Sequence, residues 1–147
     1  MSLATTNWVL DNLDSLKIID ASWHMPAQKR DPAEEYRNAH IPNSIFFDLD
    51  ENSEKDTDLP HMLPKQKTWE KIMRSLGINN NDNILLYDNS DLKSSCRCWF
   101  SLLYFGHNEK KKLKKNSQNI QSSNYKDLEK KELVKNIELI NQNIQSP

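Results

Sequence analysis

Ile84-Leu85-Leu86-Tyr87-Asp88-Asn89-Ser90-Asp91-Leu92-Lys93-Ser94 sets a short apolar run against a polar stretch that follows it without a break. The run has the length of a strand, and Trp99, Leu102 and Leu103 then repeat with helical spacing as far as Gly106. Strand, loop and helix in that order form the unit from which α/β sheets are built. The loop between the strand's carboxyl end and the helix start is where such sheets place ligands.

The same unit recurs toward the amino terminus. Thr6 is placed to cap a short helix carrying Trp8, Val9, Leu10 and Leu13, and Leu16-Lys17-Ile18-Ile19-Asp20 reads as a strand with an acidic end. Asp31-Pro32-Ala33-Glu34 is a helix start: Asp caps, Pro fills the first position, where a missing N–H is harmless, and Glu is placed to reach back. His40-Ile41-Pro42 ends that helix, because the residue before a proline is pushed out of the helical region, and the His40 ring is positioned to bond free carbonyls there. Asn43 tolerates the left-handed conformation a turn would need. Ile45-Phe46-Phe47 suits a strand buried on both faces, and an acidic loop runs from Asp50 to Pro60. Trp69, Ile72, Met73 and Leu76 mark one face of a helix that Gly77 stops. Trp23, Trp69 and Trp99 are expected in the core.

With 147 residues the chain is about one domain long, enough to bury roughly 68–70% of the surface its unfolded form exposes. The apolar fraction of 36% and the two glycines are lean for an α/β domain. Twenty Lys and Arg against 21 Asp and Glu leave a net charge of -1, so no global field favours nucleic acid or an anionic membrane. Lys110-Lys111-Lys112-Leu113-Lys114-Lys115 is read as a solvated segment rather than a polyanion site. No apolar stretch approaches the roughly 20 residues of a membrane helix. The start lacks the pattern of a secretory signal, and Cys96 and Cys98 are too close in sequence for a disulfide framework, so a cytoplasmic location is expected. There is no internal repeat and no phosphate-cradling glycine motif. His24, His40, His61 and His107 show no metal-ligand spacing, so no metal is expected. Beyond Asn108 the sequence turns polar and basic until Leu133, Ile137, Ile140 and Ile144 trace one amphipathic helix.

Asp20-Ala21-Ser22-Trp23, His40-Ile41-Pro42 and His61-Met62-Leu63-Pro64 occur in that order. Together with Asp31-Pro32-Ala33-Glu34-Glu35-Tyr36 and Phe46-Phe47-Asp48-Leu49-Asp50 they resemble the amino-terminal half of two-domain sulfurtransferases of the rhodanese and mercaptopyruvate type, from about Thr6 to Asn108. The resemblance implies an α/β fold, a rhodanese-like parallel sheet with helices on both faces. It divides the chain into a rhodanese-like domain of the amino-terminal, non-catalytic type over 1–108, and a polar basic connector with an amphipathic helix over 109–147. It also implies a further strand and a Gly-Gly turn after Asn108, and neither is found. One strand is therefore expected to be missing, as if the chain carried an internal deletion and stopped early, which would leave the buried run Ile84 to Tyr87 as an exposed sheet edge.

Persulfide transfer needs a thiolate held by backbone N–H groups at a helix start. In catalytic rhodanese domains the corresponding loop opens with that cysteine; here Asp88 stands in its place, a fixed negative charge in the anion cradle that cannot carry sulfur. Asp91 stands where the family has Gly, and Cys96 where it has Pro, so Cys96 is read as a small helix residue and not a displaced nucleophile. The resemblance to the mercaptopyruvate branch makes Asp50 and His61 the candidate catalytic residues. There they are proposed to relay a proton, across the cleft between halves, with a serine of the absent cysteine loop. An imidazole oriented by a carboxylate is the physical requirement; the alternative is that His61 fastens the acidic loop. No organic cofactor is implied. The expected partners are a small-molecule sulfur donor, 3-mercaptopyruvate or thiosulfate, and a thiol or cyanide acceptor, met only with a second rhodanese domain. The competing readings are a binding or regulatory module that docks through the Asp88 loop, and a nonfunctional gene fragment.

Overall fold

The structure, a computed structural model, describes residues 3–107. The connector and amphipathic helix expected over 109–147 lie outside the described residues. In chain order the elements are α1 (Thr6–Asn12), β1 (Leu16–Asp20), α2 (Pro32–Asn38), β2 (Ile45–Phe46), α3 (Gln66–Ser75), β3 (Asn83–Tyr87) and α4 (Ser95–Tyr104). The strands form a parallel sheet in the order β2-β1-β3, with Ile19 beside Ile45 on one side and beside Leu86 on the other.

Alternation along the strands divides the apolar residues between two faces. Ile19, Ile84 and Leu86 point to the face covered by α3 and α4, where Phe47, Trp69, Met73, Cys98 and Leu102 complete the main core. Ile18 and Leu85 point the other way, against Leu10 of α1, Leu13 and Ile41. The sheet therefore has helices on both faces, and β1 between them is the buried strand.

Several local expectations shift. Thr5 rather than Thr6 caps α1, its Oγ1 accepting from Trp8 N at 3.3 Å, because the helix begins one residue earlier than a cap at Thr6 implies. The strand at Ile45 is only two residues long and half-buried; Phe47 lies beyond its end, and it is Phe47 that is buried. Residues 84–87, by contrast, are half-buried as the expected edge strand would be, since β3 is paired on one side only among the described residues. Of the three tryptophans assigned to the core, Trp69 is 5% exposed, while Trp23 and Trp99 are half-buried.

Other punctuation is as the residues dictate. Asp31 Oδ1 accepts from Ala33 N and Glu34 N at 2.9 and 3.0 Å, and Pro32 opens α2. His40 Nδ1 lies 2.7 Å from Tyr36 O, satisfying a carbonyl at the end of that helix. Asn43 and Gly77 are left-handed, at φ 63° and 66°. Tyr87 ties the two ends of the sheet together: its hydroxyl accepts from Ile41 N and lies 3.2 Å from Ser44 Oγ. Burial first, then the Asp20 charge, push the Tyr87 pKa up.

Candidate active site

Three loops leave the carboxyl ends of the parallel strands and meet there: residues 21–31 after β1, 47–65 after β2 and 88–94 after β3. The loop after β3 is drawn tight by its own acid and by serines. Asp88 Oδ1 accepts from Ser90 N and Asp88 Oδ2 from Ser95 N, both at 3.0 Å, so one carboxylate oxygen takes a backbone N–H of the loop and the other the first N–H of α4. Charge-assisted bonds of this kind place the negative charge where the helix dipole favours it. Ser90 and Ser94, both buried, lie 2.7 Å apart and both accept from Trp23 N, and Ser94 Oγ donates to Ala21 O at 2.6 Å. Ser22 Oγ accepts from Asn89 N at 2.9 Å. The left-handed residue of the loop is Lys93, at φ 53°, and Asp91 is instead held from outside by Gln28 Nε2 at 2.7 Å.

Both cysteines are free. Cys98 is buried among the core residues, and burial pushes its thiol up to about 12, far from a reactive thiolate. Cys96 is exposed, in the first turn of α4 and outside the cradle that Asp88 fills.

The structure brings Asp50 and His61 together. Their Oδ1 and Nε2 atoms are 2.7 Å apart, although eleven residues separate them in sequence. An ionised carboxylate only accepts, which assigns the proton of the neutral ring to Nε2 and leaves Nδ1 as the basic nitrogen. The pair is superficial, with side chains 62% exposed for Asp50 and 28% for His61. Even with both partners charged, a pair this exposed is worth only about 0–1 kcal/mol, so its geometry depends on neighbours. Two neighbours do this, and the sequence reading missed both. Trp23 Nε1 donates to Asp50 Oδ2 at 3.0 Å, and the Trp23 and His61 rings meet edge to face with centroids 4.7 Å apart. Arg97, from the first turn of α4, donates from a terminal guanidinium nitrogen to His61 O. His61 itself is left-handed at φ 54°, a conformation that disfavours a side-chain-bearing residue by about 1–2 kcal/mol. A signal for Trp23 was present in its place three residues after an acidic strand end; nothing local pointed Arg97 toward residue 61.

A second polar cluster lies on the α2 side. Glu35 takes two bonds from Arg30, both at 2.7 Å, and one from the buried His24 at 3.0 Å. It borders a cavity of about 200 Å³ with Asp20, Ser22, Tyr36, Tyr87 and Asn89. Among the described residues no three His, Cys, Asp or Glu side chains are grouped to hold a metal ion, and no helix is long and apolar enough to cross a membrane.

A parallel sheet whose third loop forms an N–H cradle at a helix start is the architecture of a rhodanese-like domain, and the chain belongs to that family: the rhodanese-like domain model matches residues 5–119. The relatives it matches are sulfurtransferases. It is 43% identical over 107 residues to thiosulfate/3-mercaptopyruvate sulfurtransferase 1, mitochondrial, of Arabidopsis thaliana, covering 71% of this chain and 28% of that protein. It is 40% identical over 103 residues to the 3-mercaptopyruvate sulfurtransferase of Escherichia coli K12, covering 68% of this chain and 37% of that protein. Among solved structures, the rhodanese-fold SseA of Escherichia coli superposes with a TM-score of 0.62 at 39% identity, over 66% of this chain and 38% of that one. Tum1 of Saccharomyces cerevisiae gives 0.61 at 34% identity, over 69% and 35%. The chain thus spans about a third of the length of the relatives it matches.

Proposed function

We propose that this chain is the non-catalytic, amino-terminal half of a sulfurtransferase whose sulfur-carrying cysteine belongs to a second rhodanese unit. The observation that carries the reading is Asp88, whose two oxygens occupy the N–H groups of Ser90 in the loop and of Ser95 at the start of α4. A carboxylate there satisfies the cradle and has no sulfur to transfer. What this half contributes is the Asp50–His61 pair. With Nε2–H directed to Asp50, Nδ1 takes up a proton from the reacting groups or returns one to them. The exposure of the pair suits a group that works against a second surface. The substrates that fit the relatives' names are 3-mercaptopyruvate or thiosulfate as sulfur donor, with a thiol or cyanide as acceptor. Two free thiols and no disulfide among the described residues favour a reducing, cytoplasmic compartment.

The test is a sulfurtransferase assay with mercaptopyruvate or thiosulfate and cyanide, on the chain alone and mixed with a separately expressed second rhodanese half carrying the cysteine loop. Transfer is expected only in the mixture, lowered about a hundredfold or more by His61→Ala. A sulfane adduct on the isolated chain, turned over by a donor and lost in Cys96→Ser, would overturn the reading. A docking module is the second reading, favoured by Leu92, which is 58% exposed beside the Asp88 cradle; it would leave both assays silent.

A further inference from the structure

Trp23, Asp50, His61 and Arg97 come from three different loops or helix starts, yet their polar groups form one continuous chain at the sheet's carboxyl end. Arg97 donates to the carbonyl of His61, the His61 ring meets Asp50 Oδ1, and Asp50 Oδ2 accepts from the Trp23 indole, whose edge-to-face contact returns to the His61 ring. We propose that Arg97 and Trp23 are positioning residues that fix the direction of the His61 imidazole, Arg97 through the backbone and Trp23 through the carboxylate. The inference rests on the reading of His61 as the proton-transfer group.

The reasoning is geometric. The two bonds to Asp50 use different oxygens, so a single carboxylate orientation serves both the indole and the imidazole. Without the indole N–H, a carboxylate this exposed is free to turn and to exchange its histidine bond for water. The His61 backbone is in the left-handed region, where nothing in its own side chain holds it. The bond from Arg97 to its carbonyl fixes the plane of the following peptide and with it the direction of the ring. Arg97 is well suited to this task, because its guanidinium is seated over the Phe100 ring, 5.6 Å from the centroid, and its own N–H is in the first turn of α4. Fastening the loop in general is assigned elsewhere: Glu54 N donates to Met62 O at 2.9 Å and Ser53 Oγ to Leu49 O at 2.6 Å, independently of Arg97.

That division supplies the experiment. The full chain, labelled with nitrogen-15 at histidine and at backbone amides, is observed by NMR as the wild type and as Arg97→Met, Arg97→Lys, Trp23→Phe and Asp50→Asn. The wild type is expected to show the His61 Nε2 proton bonded to a carboxylate and cross-relaxation between the His61 and Trp23 rings. In Arg97→Met both signals are expected to vanish while Glu54 amide protection and the thermal midpoint stay as in the wild type, and Arg97→Lys restores them in part. Trp23→Phe and Asp50→Asn should each lose the Nε2 proton signal. Retention of that signal in Arg97→Met or Trp23→Phe overturns the proposal for that residue. Loss of Glu54 protection together with the histidine signals overturns it for Arg97, making its role structural. None of these measurements needs a second half. With that half supplied, the two variants should lower turnover about ten- to a hundredfold at unchanged KM. Absence of transfer in the wild-type mixture would remove the proposed function and leave the NMR result standing.

Discussion

Asp88 does a structural task at the level of one side chain, and under the proposed function that task stands in place of sulfur chemistry. Its oxygens satisfy Ser90 N and Ser95 N, two donors that would otherwise be left at a loop and helix start without a partner. Asp88→Ala is expected to destabilise the chain by about 1–3 kcal/mol, the penalty for donors stripped of a charged acceptor. Asp88→Asn, which keeps one acceptor oxygen, should lose about half as much. Urea denaturation of the two variants checks this, and equal midpoints for Asp88→Ala and the wild type would show that the cradle is indifferent to its occupant. The same residue scale shows what the sequence displayed openly. A carboxylate at 88 is legible without coordinates, and so is the likeness of the Asp50 and His61 phrases to a proton-relay pair, whereas the 2.7 Å contact between them needed the loop's path.

Among the elements, α2 was the most fully readable, because its start is written locally in Asp31 and Pro32. One detail differs. Glu34 was expected to complete the cap, but Asp31 serves both Ala33 N and Glu34 N, and the acid with a tertiary task is its neighbour Glu35. Burial alone would raise the Glu35 carboxyl, but hydrogen bonds from Arg30 and then His24 outweigh it and bring its pKa below the ordinary 4.5. A carboxyl held lower when folded than when unfolded binds fewer protons in the folded state. Its contribution is therefore complete above the ordinary carboxylate value and is lost as pH falls through the lowered one. Glu35→Gln should lower the thermal midpoint near neutrality and flatten its decline on acidification relative to the wild type. Calorimetry from about pH 7 to about pH 3 measures the difference, and parallel curves would refute it. The strands were placed by their apolar runs, Leu16–Asp20 to the residue, but their order was not, since periodicity reports which residues are apolar and not which strand lies in the middle.

For the whole molecule, stability concentrates where two faces of β1 meet two sets of helices. Phe47, 2% exposed, stands beyond the end of β2 and packs against Trp69 with ring centroids 6.0 Å apart. Phe47→Ala is expected to cost about 3–5 kcal/mol, a large part of the stability of a domain this size. Phe100, 44% exposed on α4, should change stability by only about 0.5 kcal/mol when truncated to Ala. Equilibrium unfolding of both variants would show whether the core is where the packing places it; similar losses would contradict it.

The sequence by itself determined the punctuation and the chemistry available: helix starts at Asp31-Pro32, a stop at Gly77, a left-handed turn at Asn43, apolar runs for the strands, and an acid, Asp88, directly after the third of them. These are decided within a few residues, by backbone sterics, local hydrogen bonds and the kind of atom present. Only the tertiary structure decided that β1 is central among the described strands, and that Trp23 and Arg97 converge on Asp50 and His61 across 27 and 36 residues of sequence. Strand order and loop path govern those meetings, and both arise from how the faces of distant elements bury one another.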